Sequence, residues 1–401
     1  MYQMNCTCEQ KMHSAPVKCI EVSAGAMHKT AQILKEYNRI FLVADENTYE
    51  VAGKEVEKQL RDANMLSHTF ILKNPAHPTD ANVGRVLIEA GIDRTNYDIN
   101  KMSQLPDYIL AVGSGSVNDI CRMVSYRLGI EYGIVGTAPS MDGYASVVAP
   151  LLVGKTKTVY QCSIARHIII DTAICKDAPY ELLTAGVGDM IGKYIAILDW
   201  ELSKMHTGEY YCENIAQSVL NATKECIDEA YSLAERKPES IEKIVNGLIT
   251  SGMGIAYSGS SRPASGTEHM IGQTWEIMDL ESGRELQLHG HDVGFATFVA
   301  IAMYKKLYRE TDDINIKNLI QKYLPAFERI EDLQKTLNLP KTATDYDKFV
   351  EGCKRGRTFR VRYTLLEYLY QNNMLDEYIE DAYKQVVLVW FFWIDFCKKI
   401  W

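Results

Sequence analysis

A clustered excess of positive charge is missing from this chain. Lys and Arg number 43 against 52 Asp and Glu, for a formal net charge of -9. A protein that covers a phosphate backbone carries the opposite balance, so nucleic acid is not an expected partner. A small anionic substrate stays open, because a pocket can be locally basic in an acidic protein. A disulfide framework is missing too. The 10 Cys run from Cys6 to Cys397 without regular spacing, and a chain of 401 residues needs no such staples. Cys6 and Cys8, with His13 nearby, are close enough in sequence to suggest a metal site. No second Cys pair follows, so the expectation is two reduced thiols in a frayed N-terminus. The start of the chain has neither the basic residues nor the apolar run of a signal peptide. The most apolar late stretch, Val386 to Phe396, is broken by Asp395 and is too short to span a bilayer. There is no internal repeat, low-complexity tract or long charge run. These absences predict a cytoplasmic protein with no membrane attachment.

What remains is ordinary globular material: 47% hydrophobic and 24% charged residues, in a length that suggests two domains. The first third alternates strand and helix patterns. Ile40 to Ala44 is a wholly apolar run ended by Asp45, and Thr48 then opens a helix to about Met65. Thr69 to Leu72, Tyr108 to Val112 and Ile134-Val135 are three more strands. Helices are predicted from Pro78-Thr79-Asp80 onward and from about Val117 to Leu128. Apolar strands separated by helices imply a parallel sheet covered on both faces. After about Asp171 helical periodicity takes over, with helices over Leu182 to Met205, Cys212 to Ala234, Ile241 to Tyr257, His269 to Met278, His291 to Tyr308 and Ile314 to Tyr323. The reading is an α/β dinucleotide-binding domain over 1–174 and an all-helical metal- and substrate-binding domain over 175–401. Ligands of open parallel sheets bind at the carboxyl ends of the strands, so the site is expected where those ends face the helical part.

Two loops follow strands and carry chemistry. Gly113, Ser114, Gly115, Ser116 and Val117 link a buried-type strand to a helix. Glycines let a backbone approach a diphosphate, and N–H groups at the helix start point toward it. The usual G-x-G-x-x-G fails, because Asn118 holds the third glycine's place. Asp45, before the loop, can accept from a ribose and would repel a 2′-phosphate, favouring NAD over NADP. A cap with Asn47 and Thr48 explains it at least as well. The second loop, Thr137 to Ser146, offers Thr137, Ser140 and Ser146 as donors, and Asp142 as an acceptor for a substrate hydroxyl or as part of an Asp-Gly turn.

Asp189, His269 and His289 lie at or near the starts of three helical segments. One carboxylate and two imidazoles suit a catalytic divalent ion, which polarises an alcohol or carbonyl oxygen. Spacing does not show that they converge: His291 rivals His289, and Glu268 rivals the carboxylate. Gly290 leaves room beside His289 and favours it.

Three stretches resemble sn-glycerol-1-phosphate dehydrogenases, of the superfamily that includes iron-containing alcohol dehydrogenases, glycerol dehydrogenases and dehydroquinate synthases. They are Gly113 to Arg122 (GSGSVNDICR), Thr137 to Ser146 (TAPSMDGYAS) and Ser261 to His269 (SRPASGTEH). The GVGD ending at Asp189 and the HGHDVG starting at His289 follow in the same order. The resemblance covers about Asp45 to Ala300. It implies a Rossmann-like domain followed by a helical one, NAD with NADP as the alternative, and one divalent ion (Zn, Ni or Fe). It also implies a small polyol or polyol-phosphate substrate and at least a homodimer. Asp45, the 113–117 loop, Thr137, Ser140 and Ser146 would contact the dinucleotide, Asp142 the substrate, and Asp189, His269 and His289 the metal, with Asp189 also reaching substrate. The family's second His, one turn after the ligand His, is Gln273 here, which hydrogen-bonds but carries no proton at neutral pH. This bears on the phosphate or on the proton relay. Lys193, one turn after Asp189, is a candidate phosphate contact or a solvated lysine, and His291 a candidate proton shuttle. The alternatives are a dehydroquinate synthase-like lyase or cyclase that recycles NAD, and a non-catalytic NAD- and metal-binding homologue. Relatives of the cyclase kind usually have Glu where Asp189 stands, which favours a dehydrogenase.

Overall fold

A computed structural model of the chain describes residues 1–9, 12–91 and 105–388. Ten strands occur among them: β1 (Tyr2–Asn5), β2 (Met12–Ala15), β3 (Cys19–Ser23), β4 (Ile40–Asp45), β5 (Leu66–Leu72), β6 (Tyr108–Gly113), β7 (Glu131–Gly136), β8 (Val148–Val153), β9 (Thr156–Gln161) and β10 (His167–Asp171). Six form one sheet in the order β3-β10-β7-β6-β4-β5, and every pair in it is parallel. Such a sheet must be covered on both faces, and its central strands are accordingly apolar throughout. Ile40, Leu42 and Ala44 pack with Tyr108, Leu110 and Val112 into one core, together with Val56 and Leu60 of the helix Lys54–Asp62. A second cluster, Met123, Ala149, Leu151 and Cys162, sits by the helix Gly115–Leu128.

Several local expectations are corrected. The N-terminus is not frayed: β1 and β2 pair antiparallel, with Met4 opposite His13. The sheet has β3 and β10 beyond the four expected strands, and β8 and β9 form a separate antiparallel hairpin. The helix expected from Thr48 breaks into Glu46–Thr48, a wider turn Tyr49–Gly53, and Lys54–Asp62. Likewise the segment 182–205 is two helices, Tyr180–Ile191 and Lys193–Thr207, hinged at Gly192. A Cβ at Gly192 would lie 3.0 Å from Glu268 Cγ and 3.1 Å from Val293 Cγ1, so the break falls where neighbours crowd the backbone.

Contacts divide the chain into two compact units, Met1–Leu183 with Ser232–Tyr257, and Thr184–Tyr231 with Ser258–Trp401. The first holds the sheet. The helix Pro238–Ser258, expected with the helical half, packs with the first unit as far as Tyr257. The second has helices joined by loops and no strand among its described residues; its helices include Thr267–Ser282, His289–Glu310 and Tyr346–Phe359. No helix among the described residues is long and apolar enough to cross a membrane. The stretch expected to be too short for that, 386–396, falls outside the described residues after Leu388.

Candidate active site

In the second unit the site begins with a close crossing of two helices. A Cβ on Gly290 would lie 1.8 Å from the Ala185 carbonyl oxygen, and one on Gly188 would lie 2.1 Å from that of Gly290. Only glycine at both positions lets these backbones touch. The residue after one and the residue before the other are Asp189 and His289, so the contact draws two ligand candidates together. The third arrives on the helix Thr267–Ser282. Gly266 has no side chain to cap it, and the buried carboxylate of Asp199 substitutes. It accepts from Thr267 N at 2.5 Å, and also from Tyr304 Oη (2.5 Å) and Leu365 N (2.9 Å). His269 is thereby fixed in the first turn.

One donor atom from each of Asp189, His269 and His289 lies within 4.8 Å of the other two. His269 Nδ1 is 2.6 Å from Glu268 Oε1, and His289 Nδ1 is 2.6 Å from Glu276 Oε1. A carboxylate on Nδ1 holds the proton there, puts the lone pair on Nε2 and raises its basicity, which is the usual second layer around metal-bound histidine. The donor set therefore fits a divalent ion. Asp189 is fully buried, 2.6 Å from Lys193 Nζ and 3.5 Å from His269 Nε2. Burial alone would raise its pKa, but Lys193 and the two histidines outweigh that and hold the carboxyl well below the carboxylate range. His269 moves the other way: burial and Lys193 lower it, while Asp189 and Glu268 lift it above the ordinary imidazole value.

Lys193 is neither solvated nor aimed at bulk water. It is fully buried, with its ammonium also 3.1 Å from the Ala264 carbonyl. The rival His291 places Nε2 3.0 Å from Thr184 Oγ1. Gln273, one turn after His269, accepts from Arg360 Nη2 at 3.0 Å. Arg360 and Arg362 carry no motif that marks them in the sequence. Their hydrogen-bond acceptors among the described residues are all neutral: Gln273 and Ser261 and Ser265 hydroxyls for Arg360, the Ser261 hydroxyl and the Ser265 carbonyl for Arg362. Burial pushes Arg360 down to about 10; burial, Arg360 and Arg262 push Arg362 down to about 9. Both stay cationic at neutral pH, and both would gain from an anion. Nearby Arg262, in contrast, is paired with Glu209 at 2.5 Å.

In the first unit the carboxyl ends of three neighbouring strands, β4, β6 and β7, carry Asp45, the 113–117 loop and Thr137. Thr137 N donates to Gly113 O at 3.0 Å, and Thr48 Oγ1 to Val112 O at 2.9 Å, stitching the edge together. The helix Gly115–Leu128 starts there with its N–H groups facing the loop. Asp45 is in a capping box: Oδ1 accepts from Asn47 N (2.9 Å) and Thr48 N (3.0 Å). Ser114 and Ser140 hydroxyls bond each other at 2.6 Å. Ser146 Oγ accepts from Val148 N at 3.1 Å, at the start of β8. Asp142 follows β7, and its Oδ2 accepts from Ser251 Oγ at 2.8 Å.

Fold and residues together define a metal- and nucleotide-using oxidoreductase of the alcohol dehydrogenase kind. The family described as iron-containing alcohol dehydrogenase matches residues 21–179. The chain is 34% identical over 294 residues to a glycerol-1-phosphate dehydrogenase (NAD(P)+) of Bacillus velezensis, covering 73% of this chain and 72% of that one. To the Bacillus subtilis protein of the same name it is 30% identical over 378 residues, covering 90% and 93%. In fold it is similar to an iron-containing alcohol dehydrogenase from Thermococcus thioreducens (TM-score 0.68, 14% identity, 93% of this chain and 100% of that one). The chain belongs to the glycerol-1-phosphate dehydrogenase family, among the iron-containing alcohol dehydrogenases.

Proposed function

We propose that this protein interconverts sn-glycerol 1-phosphate and dihydroxyacetone phosphate with NAD(P) and one divalent ion. The observation that carries this reading is a pair of guanidinium groups whose hydrogen-bond acceptors are neutral, with Arg360 joined through Gln273 to the helix that carries His269 of a carboxylate–imidazole–imidazole cluster. Asp189, His269 and His289 hold the ion. When bound, the ion would supply Lewis acidity at the reacting oxygen, and the nicotinamide would supply the hydride chemistry. The other roles belong to the chain itself. Arg360 and Arg362 bind the substrate phosphate, replacing the charge that Gln273 lacks. Gln273 orients Arg360 and substrate. Lys193 fixes one oxygen of Asp189 and neutralises it. Asp142 accepts from a substrate hydroxyl. Asp45 receives the ribose, with NAD preferred over NADP, while Gly113, Ser114, Gly115, Ser116, Val117, Thr137, Ser140 and Ser146 line the dinucleotide. The proposal extends to a homodimer or larger assembly in the cytoplasm. The nine described cysteines form no disulfide, which suits a reducing compartment.

The test is NADH oxidation by protein loaded separately with Zn, Ni and Fe, with dihydroxyacetone phosphate and with dihydroxyacetone. Metal-dependent turnover of the phosphate is expected. Arg360→Ala and Arg362→Ala should each lower kcat/KM for it by about 10- to 100-fold, the worth of a charge-assisted hydrogen bond, and leave the ketone within about threefold. Turnover of the ketone alone would move the substrate to a free polyol. Binding of NADH without turnover of either would overturn the dehydrogenase assignment.

A further inference from the structure

We propose that the N-terminal hairpin of the first unit carries a second metal site, built from Cys6, Cys8 and His13, for zinc or a similar thiophilic divalent ion. Donor atoms of all three lie within 4.8 Å of one another, on a segment that the catalytic reading does not use. Cys8 Sγ is 3.3 Å from His13 Nε2. Two ligands of one tetrahedral zinc, a thiolate and an imidazole, are separated by roughly 3.5 Å at ordinary bond lengths.

The second observation is the tautomer. His13 is 2% exposed, and its Nδ1 lies 3.0 Å from the Tyr257 carbonyl oxygen, at the end of the helix Pro238–Ser258. A carbonyl can only accept, so Nδ1 carries the proton and Nε2 presents its lone pair to the thiols. That backbone contact is the arrangement by which proteins orient a metal-ligating histidine. Cys8 N also donates to Cys6 Sγ at 3.4 Å, which holds the two cysteines in one tight turn. Binding displaces one proton from each thiol. Thiolates select zinc-like ions over magnesium or calcium, and two sulfurs set this site apart from the oxygen–nitrogen set of Asp189, His269 and His289.

The purpose is mechanical. An isolated two-stranded hairpin is marginal in water, and β1 and β2 span four residues each. An ion on Cys6, Cys8 and His13 pins its turn to the second strand, whose histidine is already bonded to the helix end.

The test uses the full-length protein, stripped by chelation under reducing conditions and titrated with Co(II). Wild type should take up about two equivalents, one of them bringing sulfur-to-cobalt charge-transfer absorption. Cys6→Ser/Cys8→Ser should lose that absorption and one equivalent, yet keep its dehydrogenase turnover once reloaded. His13→Gln, which keeps both thiols, should weaken the same site and shift the band. Asp189→Asn should show the converse, losing the other equivalent and keeping the band. A wild-type protein without the band, or with a band indifferent to Cys6 and Cys8, overturns the proposal whatever becomes of the catalytic assignment.

Discussion

The carboxylate–imidazole cluster of the second unit and the loop edge of the first are built by opposite designs. In the cluster, carboxylates stand behind both imidazoles and a lysine beside Asp189, so the donors are oriented in advance. At the sheet edge, side chains bond their own loops: Asp45 caps, Ser114 meets Ser140, and Ser146 holds Val148. An ion is small and needs several donors aimed at one point. A dinucleotide is long and takes backbone N–H groups and glycine clearance, which side-chain chemistry barely marks. The lesson is that convergence of polar atoms identifies the first kind of site, and position in the fold identifies the second.

That contrast can be broken most severely at His269. His269→Ala removes one of the three proposed ligands, and with the ion should go several kcal/mol of charge stabilisation. Turnover should fall by about 10³-fold or more while NADH binding, followed by fluorescence, changes little. Retained turnover with the metal lost would mean the cluster is structural.

Next is the glycine contact. Gly290→Ala puts a methyl 1.8 Å from a backbone oxygen that no rotamer change can move. The helices must part, at about 1–3 kcal/mol in thermal or denaturant unfolding, and metal affinity should fall with stability. A variant as stable as wild type would show that the crossing is loose. Glu276→Gln is milder. It keeps size and a hydrogen bond but removes the charge behind His289, and metal affinity should drop about 10- to 100-fold with unfolding little altered. Equal affinity in a metal-competition titration would reduce Glu276 to a packing residue.

The same contrast explains what the sequence disclosed. The buried run Tyr108 to Val112 ending at Gly113 was plain, because a central parallel strand is apolar on both faces. β10 was passed over although His167-Ile-Ile-Ile-Asp171 is nearly as apolar; so short a run does not declare its type. β3 carries Glu21 and half-buried side chains at the sheet edge, which blurs its pattern. Gly154, with φ at +61° between β8 and β9, was the overlooked turn signal. Asp189, His269 and His289 were marked by residue type and resemblance, yet spacing said nothing of their meeting; the Gly188–Gly290 contact does. Arg360 and Arg362 were hidden for another reason. Their meaning depends on hydrogen-bond partners 87 and 101 residues away that happen to be uncharged, and no periodicity records such a meeting.

The smallest effect is expected at Asp45, where the two readings of the loop edge can be separated. Asn serves about as well as Asp at a helix N-cap, so Asp45→Asn should leave stability within about 0.5 kcal/mol of wild type. It removes the negative charge, however, and with it the repulsion of a 2′-phosphate. If Asp45 receives the ribose, the ratio of kcat/KM for NADPH over NADH should rise about tenfold, mostly through KM, since one charged hydrogen bond is exchanged for a neutral one. An unchanged ratio would leave Asp45 as a cap alone. Cofactor choice would then have to come from the backbone of the 113–117 loop, as the self-satisfied side chains of that edge already suggest.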